Sequence, residues 1–211
     1  PFLGLYGACS TIVEGLICGS AFINGGYANS AITFASSHFC SAEQQFRSPL
    51  EYGGQRSPTA QWTVTGSAAF IVSNNTNGGV KISKALPGIV IDKGINDVTN
   101  MGAAMAPAAI DTLIRFFKES DTKPSDYSAI FTGDLGSEGS RILRDFMKIE
   151  GYDLGNNYKD CGSIIFDSDY QDVHSGGSGC GCSASVLASY FLPRLESGKL
   201  KNILFMSTGA L

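Results

Sequence analysis

The sequence predicts an α/β fold made of two successive βαβ rounds. Three observations carry that expectation: short apolar runs alternate with stretches of helical period, the order of elements starts over after residue 100, and strands hand over to helices through small-residue turns.

The first round opens on an apolar run over residues 2 to 6, which reads as a buried strand. After Ser10, Ile12, Val13, Leu16, Ile17, Phe22 and Ile23 recur at helical spacing until Gly25 and Gly26 stop them. Residues 30 to 35 resume a strand, so the unit reads as a crossover joining a parallel pair. The polar segment from Ser36 to Thr63 is too long for an ordinary connection and reads as a lid-like insert; it holds His38, Arg47, Arg56 and Trp62. Two β-rich runs, 65 to 73 and 78 to 91, share the turn-forming NNTNGG between them and read as an antiparallel hairpin.

In the second round Pro107 suits the first turn of a helix carrying Ile110, Leu113, Ile114 and Phe117. YSAIFTG reads as a strand ending near Asp134, followed by a helix around Ser140 to Ile149 and a short strand at 163 to 166. A glycine-rich turn, HSGGSGCGCSA, leads into a helix interrupted near Pro193, and NILFMST closes the chain's last strand. The expected organisation is one half over 1–100, with the insert at 36–63, and a second half over 101–211.

Composition narrows the function. The 211 residues are 43% hydrophobic and 16% charged with a formal net charge of −4, a soluble globular balance. No Lys/Arg cluster marks the sequence, which argues against nucleic acid as a partner. Apolar runs are broken well short of the roughly 20 residues of a spanning helix, so no transmembrane segment is expected in this chain. The first residue is Pro rather than Met, which reads as a chain whose beginning is missing. Cys9, Cys18, Cys40, Cys161, Cys180 and Cys182 read as reduced thiols; the pair Cys180 and Cys182 has no companion pair at metal spacing, so no metal site is expected.

Chemistry points first to Cys9. A cysteine between a strand's end and a helix's first turn gains from unpaired N–H groups and the positive helix end, both of which favour thiolate. Cysteine is also a common buried residue, so the position alone leaves both readings open.

GACST followed by a glycine-spaced helix resembles the nucleophile segment of the thiolase and ketosynthase superfamily. MGAAMAPAAIDTLIRFF, SDYSAIFTGDLGSEG, SGGSGCGCSAS and LESGKLKNILFMSTGAL are similar to that superfamily's later landmarks. More closely, PFLGLYGACST, SSHFCSAEQQFRSPLEYGGQRSPTAQWTVTGSAA, MGAAMAPAA and GGSGCGCSA together resemble the stage V sporulation protein AD family of spore-forming bacteria. That resemblance implies a thiolase-like fold of two pseudo-duplicated halves with α/β/α/β/α layering, here missing N-terminal elements. It implies binding of dipicolinic acid and its uptake into the developing spore with membrane proteins of the stage V sporulation set. It also implies a cytoplasmic-side position peripheral to the spore inner membrane, and a possible homodimer.

Departures from the thiolase pattern matter as much. Cys9 holds the nucleophile position, but the loop that carries Asn-Glu-Ala-Phe in thiolases reads Gly133, Asp134, Leu135, Gly136, and an anion is a poor oxyanion donor. The glycine-rich turn, Ser178 to Cys182, has neither imidazole nor carboxamide, so the proton acceptor is expected to be lost. A non-enzymatic binding protein is therefore expected. The alternative is an acyltransferase of ketosynthase type in which Cys9 accepts the acyl group and His38 or His174 serves as base. His174 also reads as an ordinary loop histidine, and His38, just past a strand's end, as a pocket-lining one.

Dipicolinic acid is a flat pyridine with two carboxylates, so its site needs cationic forks or backbone donors and an apolar wall. Arg47 and Arg56 are the candidate forks, their other reading being solvated residues or ties to Glu43 or Glu51. Phe39, Phe46, Tyr52 and Trp62 are candidate walls. Backbone donors at Cys9, Ser10 and Thr11 would receive one carboxylate. Asp134, Ser178 and Cys180 complete the expected ligand-binding set. No cofactor is expected; calcium would arrive with dipicolinate, which chelates it.

Overall fold

The computed structural model describes residues 2–40, 56–75 and 79–210. They form an α/β structure with layers in the order helix, sheet, helix, sheet. The middle sheet is β5-β4-β7, formed by Tyr158–Asp160, Ala129–Thr132 and Ile203–Met206, all parallel. The central strand β4 is buried along its whole length, as a parallel strand covered on both faces must be, whereas Lys159 of β5 is exposed and Ile203 and Phe205 of β7 are half-buried.

Residue alternation along the strands assigns the two faces. Ile130, Leu204 and Met206 meet Met105, Ala109, Leu113 and Phe117 of α2 (Met101–Ser120) and Leu143 and Met147 of α3 (Gly136–Ile149). Ala129, Phe131, Ile203 and Phe205 face the opposite way, toward Val186, Leu187 and Phe191. These belong to α5 (Cys180–Val186) and the π-helical segment Leu187–Phe191 that continues it. α5 also packs on the second sheet, where β1 (Ser30–Ser37) pairs with β3 (Gly66–Ser73), and α1 (Thr11–Asn24) lies beside it on that face. Thr33, Ala35, Ser37 and Phe70 look inward, while Ile32, Phe34 and Ile71 look outward and are exposed.

Two glycines set the α2–α3 distance. A Cβ on Gly139 would stand 2.7 Å from the Gly102 carbonyl oxygen, so the helices meet backbone to backbone. α2 is capped by Asn100, whose side chain accepts from the Ala103 N–H at 3.2 Å.

Several expectations are corrected. Residues 2–6 are not a strand: no described strand runs alongside them, and Phe2, Leu3 and Tyr6 are exposed. The first crossover therefore makes no parallel pair. The hairpin is not formed either, because β3 pairs antiparallel with β1 over eight residues, Ser30↔Ser73 to Ser37↔Gly66. Residues 80–98 instead run as irregular backbone, with Lys84 Nζ donating to Ser120 O at the end of α2. Pro107 lies inside α2 rather than at its start, because Asn100 caps the helix six residues earlier than expected.

The strand expected at 163–166 is also displaced. Asp160 accepts from the Ser163 N–H and caps a one-turn helix, α4 (Cys161–Ile164), so the strand is Tyr158–Asp160. The interruption near Pro193 is present: the π-helical segment ends at Phe191, and α6 (Leu192–Glu196) follows with Pro193 in its first turn. No helix among the described residues is long and apolar enough to cross a membrane.

Candidate functional site

Cys9 sits in a turn tied by its neighbours' hydroxyls. Ser10 Oγ donates to Gly7 O at 2.5 Å and Thr11 Oγ1 to Ala8 O at 2.6 Å, while Ala8 takes the left-handed φ of +49°. The N–H groups of Ser10 and Thr11 go to the same two carbonyls, at 3.0 and 3.2 Å, so two of the three expected carboxylate donors already have acceptors inside the turn.

Three other segments converge on this turn. Gly209, after β7, packs against Gly7 and Ala8 so closely that a Cβ there would meet Ala8 Cβ at 3.0 Å. Cys180 Sγ donates to Ala8 O at 3.1 Å. Ser178 Oγ stands 3.6 Å from Cys9 Sγ and donates to Asp134 Oδ2 at 2.8 Å, which also accepts the Gly179 N–H at 3.0 Å. Gly179 has φ +121°, a conformation that excludes a side chain, and so lets the strand turn directly into α5. Cys9, Asp134 and the Ser178 to Cys180 turn, far apart in sequence, are thus one cluster.

Electrostatics keeps the cysteine protonated. Burial, then the Asp134 carboxylate beside it, push the Cys9 thiol well above its ordinary range, outweighing the help of the Ser178 hydroxyl. The thiolate expected from the helix terminus is overruled by a buried negative group. Neither buried neighbour compensates: Cys161 and Cys182 are also pushed up, first by burial and then by the same acidic residues.

A second carboxylate underlies the first. Asp160 accepts the Leu135 and Gly136 N–H groups, both at 2.9 Å, and Thr132 Oγ1 at 2.6 Å, so it holds the start of α3 and with it the Asp134 loop. Burial raises it to about 7 despite these donors. Gln61, almost fully buried, bridges Asp134 O at 2.7 Å and Gly177 O at 3.1 Å.

The insert reaches the cluster through a short ladder. Trp62 and Thr63 (β2) pair in parallel with Gly177 and Ser178 (β6). On the Trp62 ring lie the Phe39 ring, stacked at 4.5 Å, and the Arg56 guanidinium, 4.4 Å from the centroid. Arg56 Nη2 donates to Asp172 O at 2.7 Å, whereas its buried Nη1 has no acceptor among the described residues. His174 is held by Ser57 O at 2.7 Å and Asp172 Oδ1 at 2.9 Å, which supports its reading as a loop histidine.

The family model for stage V sporulation protein AD matches residues 1–211, the whole chain. The chain belongs to the stage V sporulation protein AD family. It is 47% identical over 211 residues to the stage V sporulation protein AD of Bacillus subtilis (strain 168), covering all of this chain and 62% of that relative.

In this member of the stage V sporulation protein AD family, Arg56 stacks on Trp62, whose ladder partner Gly177 adjoins Ser178 of the Cys9 cluster. His38 is exposed just past β1, its Nδ1 accepting the Cys40 N–H at 3.1 Å. Arg47, with Phe46 and Tyr52, lies outside the described residues. Sequence reasoning missed Gln61 and Asp160. Gln61 adjoins Trp62 in a polar stretch, and nothing in its local pattern marks it as buried. Asp160 carried one local signal, its position three residues before Ser163 at a helix start.

Proposed function

We propose that this chain is the thiolase-like part of a non-enzymatic protein that binds dipicolinic acid. In this reading the protein supports dipicolinate uptake into the developing spore with membrane partners, from the cytoplasmic side of the spore inner membrane. One observation carries the reading: the Arg56 guanidinium lies against the Trp62 ring, beside the ladder that ends at Ser178, and its buried Nη1 has no acceptor among the described residues. A buried donor left unpaired costs about 1–3 kcal/mol, and a ligand carboxylate would supply the missing acceptor. The Trp62 face offers the flat wall that a pyridine ring needs. Calcium enters as the ligand's own chelated ion.

The raised Cys9 thiol supports binding over acyl transfer, since the thiolate is the nucleophile and its formation is opposed by Asp134. The layering of helix and sheet supports the thiolase-like reading of the fold.

The test is calorimetric titration of dipicolinate, with and without calcium, into the full-length protein and Arg56→Ala, alongside intact-mass measurement after incubation with acyl-CoA. Saturable binding that Arg56→Ala weakens, with no mass increase on Cys9, is the expected result. Unchanged binding in Arg56→Ala would remove Arg56 from the site. A thioester on Cys9 would replace this reading with the acyltransferase one.

A further inference from the structure

At the far end of the β5-β4-β7 sheet from Cys9 lies a cavity of about 280 Å³. It opens near the start of β4 and just before β7, whereas Asp134 follows the end of β4. Lys159, Arg194 and Lys199 line it, and no carboxylate among the described residues does. Among the described residues none of the three cations makes an ion pair. Three positive groups around one basin, in a chain of formal net charge −4, repel one another unless an anion joins them.

The basin is braced rather than incidental. The Arg194 guanidinium lies 3.5 Å from the Tyr190 ring centroid, and its Nη1 donates to Tyr190 O at 2.8 Å. Nε and Nη2 have no acceptor among the described residues. Tyr190 is presented by the π-helical segment Leu187–Phe191, a helix irregularity that occurs mostly as a short insertion and often at functional sites. Phe131, which lines the basin, packs against the buried Phe191 with its ring tilted by 38°. Asn157, also at the rim, is fixed by its Nδ2 donating to Tyr127 O at 3.0 Å.

We propose that this basin binds a phosphate group, free or as the headgroup of an anionic lipid. Two lysine point charges and one arginine fork share the basin, a donor set that suits a phosphate with its three or more oxygens better than a carboxylate with two. The site is separate from the dipicolinate reading and stands or falls without it.

The probes are inorganic pyrophosphate, followed by calorimetry, and phosphatidylcholine vesicles with and without phosphatidylglycerol, followed by co-sedimentation, both with the full-length protein. The variants are Lys159→Gln with Lys199→Gln, and Arg194→Gln separately, each checked for an unchanged melting temperature. Wild-type binding of pyrophosphate that weakens roughly fivefold or more in the variants is expected. Phosphatidylglycerol-dependent sedimentation lost in the same variants assigns the phosphate to lipid; pyrophosphate binding without sedimentation assigns it to a soluble ligand. Dipicolinate binding stays unchanged in these variants. If neither probe distinguishes wild type from the variants, the proposal is overturned.

Discussion

Cys9 Sγ lies 3.6 Å from Ser178 Oγ, and that hydroxyl directs its own proton to Asp134. The serine therefore relays the presence of a buried carboxylate to the sulfur instead of removing a proton from it. The Ser178 hydroxyl by itself favours the thiolate, but burial and the Asp134 carboxylate behind it, which opposes a second negative charge nearby, outweigh that help.

Cys9 should accordingly react slowly. Alkylation by iodoacetamide near pH 8 is expected to be roughly tenfold or more slower at Cys9 than at the exposed Cys40, read by peptide mass spectrometry over time. Asp134→Asn removes the opposing charge and should accelerate Cys9. Equal rates at Cys9 and Cys40 in the wild type would contradict the electrostatic account.

At Arg56, charge and shape are separable. Arg56→Lys keeps the cation but loses the fork and the flat stack on Trp62, so dipicolinate binding should weaken by about tenfold, near 1.4 kcal/mol. Trp62→Leu should weaken it through loss of the wall. Titration calorimetry at fixed ionic strength checks both; full affinity in Arg56→Lys would reduce the role of Arg56 to charge alone.

The α2–α3 contact admits no side chain. In Gly139→Ala the new methyl would press on the Gly102 carbonyl, 2.7 Å away, which is backbone and cannot swing aside. Overpacking of this kind costs about 1–3 kcal/mol. Thermal unfolding should show a fall of several degrees, and a melting temperature equal to wild type would mean that the helices separate freely.

Asp160 makes stability depend on pH in an unusual direction. Its folded value of about 7 lies above the unfolded carboxylate value, so the folded state holds the proton more tightly. The stabilisation is complete below the unfolded value, near 3.8, and is lost as the pH rises through about 7. Asp160→Asn does not titrate, so its stability deficit relative to wild type should be largest near pH 4 and smaller above pH 7. Denaturant melts at both pH values check this, and a deficit that grows with pH would reverse the assignment.

How far the fold was legible depended on the range of the forces involved. α1, α3, the strand at 129–132 and the closing strand were visible because their apolar period and turn residues act within a few positions. The partner of β3 was not visible. Residues 78–91 had the composition for a hairpin, but β1 met β3 over its full length, and nothing local separates these two outcomes. Pro107 does not mark the helix start because a proline signals one only when no better cap stands upstream, and Asn100 does.

The site divided in the same way. By itself the sequence marked Cys9 at a helix start, the anion at Asp134 where a donor would be needed, the glycine-rich turn at 176–182, and the family to which they belong. Only the tertiary structure decided that Asp134 sits behind Ser178 and raises the thiol, that Gln61 and Asp160 brace the loop, and that Lys159, Arg194 and Lys199 share one basin. The physical reason is that turns and periods are set by neighbouring residues, whereas a buried charge takes its meaning from whichever distant segments the packing brings within a few ångströms of it.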